Sequence, residues 1–377
     1  MGNKPLNIAV IVPYPVFPAK MGGQKGIALF YEHLGKENNV TLFCTSDTNA
    51  GNFPARIFPI LGSSKLRYIN PFLIFRLFRI IKAEKFTHLI IEHPYFGWLG
   101  FFLKQLTGIP LIIHSHNIEY RRFQSTGKWW WRILMHYEKF VHRQADLNFF
   151  ITGNDRGYAI EKFNLKAEKC ITITYGMDLS HLPSTTETQA ARAWLCEKYG
   201  IADNERIYLF NGTLDYKPNL DAVLTIVNDI NPILLNSSFR YKILICGRNL
   251  PADMNSLENY QNLNIIYAGF VEDISIYFKG SDAFINPVID GGGIKTKLVE
   301  ALGYNLFCIS TTSGAVGIPQ AVTDGKMVVI EDYNWGSFAV NMQIEYNKET
   351  PSRFFEYFYW GNIAKKATDA ILELLPA

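Results

Sequence analysis

The sequence is short of cysteine, of paired acidic residues and of long apolar runs. Its five cysteines (Cys44, Cys170, Cys196, Cys246, Cys308) are odd in number and none forms a close pair, which argues against a disulfide framework or a cysteine-ligated zinc and fits a reducing compartment. No apolar run approaches the ~18 residues that span a bilayer. Leu6–Val12 follows a single lysine and precedes no small-residue cleavage site, so no signal peptide is expected. No Asp-x-Asp triplet occurs, which removes a common carboxylate clamp for Mg²⁺ or Mn²⁺ on a diphosphate. The expectation is a cytoplasmic chain that needs no metal.

What is present is enough for two cores. Hydrophobic residues make up 48% of the 377 and charged residues 19%, a balance that excludes disorder and favours two domains. Short apolar runs alternate with longer amphipathic stretches, the pattern of βα units and a parallel sheet. The expected strands are Asn7–Val12, Val40–Cys44, His88–Glu92, Leu111–His114, Leu147–Ile151 and Cys170–Thr174. After the polar stretch Ser180–Gln189, read as a linker, the rhythm restarts with Ile207–Asn211, Tyr241–Cys246, Asn264–Tyr267, Ala283–Pro287, Leu306–Ser310 and Met327–Ile330. The expected fold class is α/β: two doubly wound, Rossmann-like domains facing a cleft, spanning 1–180 and 181–350. A final helix, Pro351–Leu375, is expected in 351–377; its apolar stripe fits packing back on the first domain, but periodicity alone does not say which domain it covers.

Charge divides along the same line. Residues 1–182 carry 22 Lys/Arg against 12 Asp/Glu, a net +10, and the rest carry 15 against 22, a net −7. A basic first half and an acidic second half point to different partners. Two stretches of the first half mix bulky apolar with basic residues: Leu66–Phe86 and Lys128–Arg143, the latter with Trp129, Trp130 and Trp131. Such faces suit an anionic membrane surface, although core-facing helices with solvated lysines read the same way.

Chemistry concentrates in the loops after strands, where ligands of doubly wound sheets bind. Asp290–Gly303 reads DGGGIKTKLVEALG. Its glycines let backbone N–H groups approach a phosphate at a helix start, and Lys295 and Lys297 add positive charge there. With a helix starting near Gly293, Glu300 falls about 10 Å along it, at ribose distance from a diphosphate. Gly212 and Lys217 lie in NGTLDYKPN, Arg248 follows Cys246-Gly247, and Val271 follows Gly269-Phe270; these are candidates for the diphosphate and for the walls of a base pocket. In the first half, the first strand leads into Pro13–Gln24, whose Gly22–Gly23 before a helix could approach phosphate or sugar. His114, His116, Asn117 and Glu119 follow a strand. His116 is the candidate catalytic contact, and a metal pair is disfavoured because alternate positions at a strand end point opposite ways.

With these residues placed, the whole chain resembles the retaining glycosyltransferases of family four, which have the GT-B fold. The resemblance rests on Gly22–Gly23, His116 in HNIE, Tyr175-Gly176-Met177-Asp178, NGTLDYKPN, Ala268–Val271, Ser281–Pro287, and above all DGGGIKTKLVEALG with Gly314–Gly317 after it. It implies metal-independent transfer of a sugar from a nucleotide-diphosphate donor, UDP- or GDP-linked, to a glycan or lipid-linked acceptor, as in cell-surface polysaccharide assembly. Glu300 then holds the ribose. Gly292, Gly293, Ile294, Lys217 and Lys295 hold the diphosphate, Gly269–Val271 border the base, and His116 lies by the transferred sugar. Trp360 falls where the last helix crosses back. Gly292 stands where the family often has a glutamate, as in its triple-glycine subgroup, and Thr213 where it often has an arginine. An epimerase of like architecture and a non-catalytic sugar-nucleotide or glycan-binding module are the alternatives. Nucleic acid is not an expected partner.

Overall fold

The computed structural model describes residues 5–19, 22–49, 51 and 53–374; Lys20, Met21 and Leu375, which fall in segments read above, lie outside them. The chain divides into two compact units, residues 1–176 with 359–377, and residues 177–358.

Unit 1 alternates strands and helices: β1 (Asn7–Ile11), α1 (Gly22–Leu34), β2 (Asn39–Cys44), β3 (Arg56–Pro59), α2 (Phe72–Ala83), β4 (His88–Glu92), α3 (Gly97–Thr107), β5 (Leu111–Ser115), α4 (Glu119–Ser125), α5 (Trp131–Gln144), β6 (Leu147–Phe150), α6 (Gly153–Phe163) and β7 (Cys170–Thr172). The strands pair in parallel in the order β3-β2-β1-β4-β5-β6-β7. The central strands NIAVI, HLIIE and LIIHS are β-branched and buried almost throughout, as a sheet covered by helices on both faces requires. β3 is the strand the apolar pattern does not announce. It sits at the sheet edge, half exposed, with Arg56 at one end and Pro59 at the other, the place where proline is tolerated.

Unit 2 continues with α7 (Thr185–Tyr199), β8 (Arg206–Asn211), α8 (Lys217–Thr225), α9 (Asn231–Leu235), β9 (Tyr241–Cys246), β10 (Ile265–Gly269), α10 (Ile274–Gly280), β11 (Ala283–Asn286), α11 (Thr296–Gly303), β12 (Phe307–Thr311), α12 (Gln320–Thr323), β13 (Met327–Ile330), α13 (Trp335–Met342) and α14 (Ser352–Phe358). Its parallel sheet runs β10-β9-β8-β11-β12-β13. The second half of the expected linker is helix. Ser184 accepts from the N–H of Glu187 while the Glu187 carboxylate accepts from the N–H of Ser184, a capping box written in the sequence as S-x-x-E.

The last helix is two helices. Tyr359 is extended (φ −73°, ψ 127°) and separates α14 from α15 (Trp360–Leu372). α15 belongs to unit 1, where it packs on α1. Trp360 meets Phe30 and Tyr175, and Asn38 Nδ2 donates to Thr368 Oγ1 at 2.9 Å. Gly176 is needed beside it, since a Cβ there would come within 2.6 Å of the Trp360 ring.

Candidate functional site

Both sheets reverse their strand order beside the first strand of the unit, between β1 and β4 and between β8 and β11. The loops leaving those strands carry the chemistry.

In unit 1 they build two buried carboxylate hubs. Glu92, at the end of β4 and fully buried, accepts from the Tyr31 hydroxyl, from His114 Nδ1 at 2.8 Å and from His116 Nε2 at 2.6 Å. Burial works against its charge, but the two histidines hold it well below the usual carboxylate range. Glu119, opening α4 and equally buried, accepts from His93 Nδ1 at 3.1 Å, Tyr95 at 2.6 Å, and Arg122 Nε and Nη2 at 2.9 and 2.7 Å. Burial again opposes ionisation, and the bonds from His93 with the Arg122 charge hold its pKa at about 2. His93 joins the hubs. Its ring stacks on His116 with centroids 4.4 Å apart, and Tyr14 bonds its Nε2 at 3.0 Å. Burial lowers its pKa, so the neutral ring donates from Nδ1 to Glu119 and accepts at Nε2 from Tyr14. A third buried carboxylate, Glu138, accepts from the backbone N–H groups of Glu119 and Tyr120 at 2.8 and 2.9 Å, fixing the start of α4.

His93 has φ 59° and ψ 158°, backbone that only glycine adopts freely and that is held at functional sites by its surroundings. His93, Tyr95, His116, Asn117, Glu119 and Arg122 line one cavity of about 750 Å³ with Tyr14, Gly23, Lys65, Tyr68, Phe123, Trp130 and Tyr137. The expectation that His114 and His116 point apart is overturned. His114 and His116 stand two positions apart at the end of β5, and a strand turns such positions to one face, so both rings reach the same carboxylate. Glu92, His114 and His116 thereby bring three ligand-type atoms within 4.8 Å of one another, although each contact is already a hydrogen bond.

In unit 2 the strand ends interlock through glycine. Gly247 N donates to Gly269 O at 2.8 Å and Gly212 N to Cys246 O at 3.0 Å; a Cβ on Gly247 would lie 2.1 Å from Gly212 O. Gly291 and Gly293 have φ of +91° and +70°, and Gly291 approaches Tyr216. Lys295 Nζ donates to the carbonyls of Gly291 and Gly293 at 2.7 and 3.2 Å. Lys297 Nζ donates to Asn211 O and Asn219 Oδ1 at 3.1 and 3.0 Å and lies 4.1 Å from the Phe210 ring centre. Burial lowers their pKa values to about 8 and about 7, the charge of Lys295 adding to the depression at Lys297. Among the described residues neither has a carboxylate at ion-pair distance.

The helix after this loop starts at Thr296, three residues later than expected, with Lys295 at its N-cap position. Glu300, half-buried, is then about 6 Å from the helix start. Lys217 begins α8, mostly exposed, and pairs with Asp221 one turn on; Asn219 lies in the first turn and its Nδ2 donates to Thr213 O at 3.0 Å. The structure brings together Gly212 and Lys297 through Asn219, and Gly292, Gly293 and Ile294 with Lys295 in one loop. Arg248 is exposed, its carbonyl accepting from Leu214 N at 2.9 Å. Val271 is half-buried after β10. Gly22 starts α1, and Gly23 reaches the unit 1 cavity with His116. Sequence reading missed Tyr14, Tyr31, Glu92, His93, Tyr95 and Arg122. Only Glu92 carried a signal, a carboxylate ending the apolar run HLII.

Residues 22–181 match the family described as Glycosyltransferase Family 4, and residues 205–344 that described as Glycosyl transferases group 1. A curated relative, an uncharacterized 44.6 kDa protein in the cps region of Klebsiella pneumoniae, is 26% identical over 128 residues; the match spans about a third of each chain, 32%. Three solved structures share the fold. Alr3699/HepE of Anabaena in complex with UDP has a TM-score of 0.69 at 14% identity, covering 98% of this chain and 100% of that one. The lipopolysaccharide outer core galactosyltransferase WaaB gives 0.66 at 13%, covering 98% and 100%. Sucrose-phosphate synthase from Thermosynechococcus elongatus gives 0.65 at 16%, covering 98% and 94%.

Proposed function

Because the chain belongs to the glycosyltransferases, with a family 4 domain, a group 1 domain and the GT-B fold, we propose that it moves a sugar from a nucleotide-diphosphate donor to a glycan or lipid-linked acceptor, with retention and without a metal. The observation that carries the donor half is the pair of half-buried lysines with no carboxylate at ion-pair distance among the described residues, their ammonium groups turned to backbone carbonyls in loops of closely approaching glycines at the ends of β8 and β11. A diphosphate is the group such a place lacks. Lys295, Lys297 and Lys217 stabilise its departing charge with the start of α11, and Glu300 holds the ribose. Arg248 and Val271 flank the base, and Gly292 marks the triple-glycine subgroup. UDP is favoured over GDP because Alr3699/HepE was solved with UDP and with UDP-glucose.

The acceptor half is assigned to the unit 1 cavity, with Gly23 and His116 on its wall. The acceptor hydroxyl attacks from the face the diphosphate leaves, and a departing phosphate oxygen takes its proton, so no carboxylate pair is required. Polysaccharide or lipopolysaccharide assembly is the setting this reading favours, in keeping with WaaB and the cps-region relative.

A thermal-shift panel of UDP, GDP, ADP, CMP and dTDP tests the donor. A nucleotide at 100 times its Kd adds about 2.7 kcal/mol to the wild type, and Glu300→Ala is expected to lose most of that gain. Stabilisation by none of the five rejects the donor site. Binding without turnover on any acceptor favours the non-catalytic module instead.

A further inference from the structure

Two segments of unit 1, residues 61–83 and 120–137, contain nine Lys/Arg and no Asp or Glu. They are also where unit 1 exposes its bulkiest apolar side chains. Trp129 is 82% exposed, Phe72 77%, Ile69 74% and Leu66 69%, with Phe75 and Ile133 also exposed. Helix packing does not demand this. α2 already buries Leu73, Leu77 and Ile81 on one face, which leaves Phe72, Phe75, Arg76 and Arg79 on the side turned to solvent. Soluble surfaces scatter such residues singly; a gathered set marks a contact.

The two segments meet. Lys65 and Tyr68 from the first, and Phe123 and Trp130 from the second, line the same cavity as His116. Helix α3, which packs on both α2 and α5, ties them together through Trp98, whose Nε1 donates to Tyr68 O at 2.8 Å. Three of the six exposed apolar residues are neighbours in the chain of one that lines the cavity: Leu66 of Lys65, Ile69 of Tyr68, Trp129 of Trp130.

We propose that this face docks on the surface of an anionic phospholipid bilayer, setting the mouth of the unit 1 cavity against the headgroups so that a lipid-anchored acceptor enters from the membrane. Aromatic and aliphatic side chains enter the headgroup boundary while the surrounding lysines and arginines meet lipid phosphates. Charge complementarity selects this occupant. A two-fold contact between copies of the chain would set nine positive charges against the same nine. The acceptor part of the inference rests on the glycosyl transfer proposed above; the docking part does not.

The 377-residue chain is floated with vesicles of phosphatidylcholine alone and with phosphatidylglycerol added, at low and high salt. The expected result is binding to the anionic vesicles, weakened by salt, and binding about tenfold weaker or more to the neutral ones. Phe72→Ser with Phe75→Ser, and separately Arg76→Gln with Arg79→Gln, each reduce anionic-vesicle binding by about tenfold or more and leave stabilisation by UDP unchanged. Equal partitioning of wild type and both variants overturns the proposal. So does absence of binding to anionic vesicles at low salt, or a wild-type dimer in ultracentrifugation that these variants dissociate. Vesicle binding with no stabilisation by any of the five nucleotides sustains the docking face and rejects the donor reading, so the two fail separately.

Discussion

Lys295 and Lys297 hold protons poorly because burial removes the water that would solvate the ammonium. With pKa values of about 8 and about 7, both are largely neutral by pH 9, and a diphosphate must draw protons back to be bound. Affinity for UDP is therefore expected to fall above pH 8, by up to about tenfold per pH unit for each lysine. Calorimetry in buffers of different ionisation enthalpy should register proton uptake, and Lys295→Met should remove one proton from the slope. A pH-independent Kd between 7 and 9 excludes this role. Folding feels the same depression with its own sign. From about pH 7 up to the ordinary lysine range, the unfolded chain keeps protons the folded chain has shed, so this contribution to stability grows as pH rises. At this scale the sequence showed which residues follow strands but not which meet. His116 was legible as a loop histidine. That it shares Glu92 with Tyr31, a residue 61 positions from that carboxylate, depends on β1 and β4 lying side by side.

Among the elements, the turns after strands separate glycines by what a side chain would meet. Gly23 is the second residue of α1, its Cβ position is open, and it lines the unit 1 cavity. Gly23→Ala is expected to stabilise unit 1 by about 0.4–1 kcal/mol while lowering transfer to an acceptor that needs that space. Melting and turnover measured together read the two effects; undiminished turnover removes Gly23 from the site. The strands were the legible elements, because runs such as NIAVI, HLIIE and LIIHS are long, β-branched and bounded by polar residues. β3 escaped for the opposite reason, being an edge strand with a charge and a proline. The start of α11 also escaped. Three glycines permit a helix to begin anywhere among them, and the chain delays it to Thr296 because Gly291 and Gly293 take positive φ.

In the whole molecule, unit 1 is made from both ends of the chain. Trp360 is one of its largest fully buried side chains, and Trp360→Ala is expected to cost about 3–5 kcal/mol. Urea unfolding should show the loss, while the midpoint gain from UDP persists because the donor residues lie in 177–358. Loss of that gain would show that the two units do not answer independently.

The return of the chain at residue 359 also sets an order of events at the ribosome. Residues up to 176 emerge with β1, β4 and β5 ready to pair, yet the helix that covers α1 is encoded only after unit 2. At ~5–20 residues per second, the intervening 182 residues take roughly 10–40 s to appear. For that time the apolar surface awaiting Trp360, Ile363 and Ile371 stays open, whereas unit 2 can close as soon as its own last helix is made. The nascent chain thus finishes its second unit before its first, and the open face of α1 is where a chaperone has reason to wait.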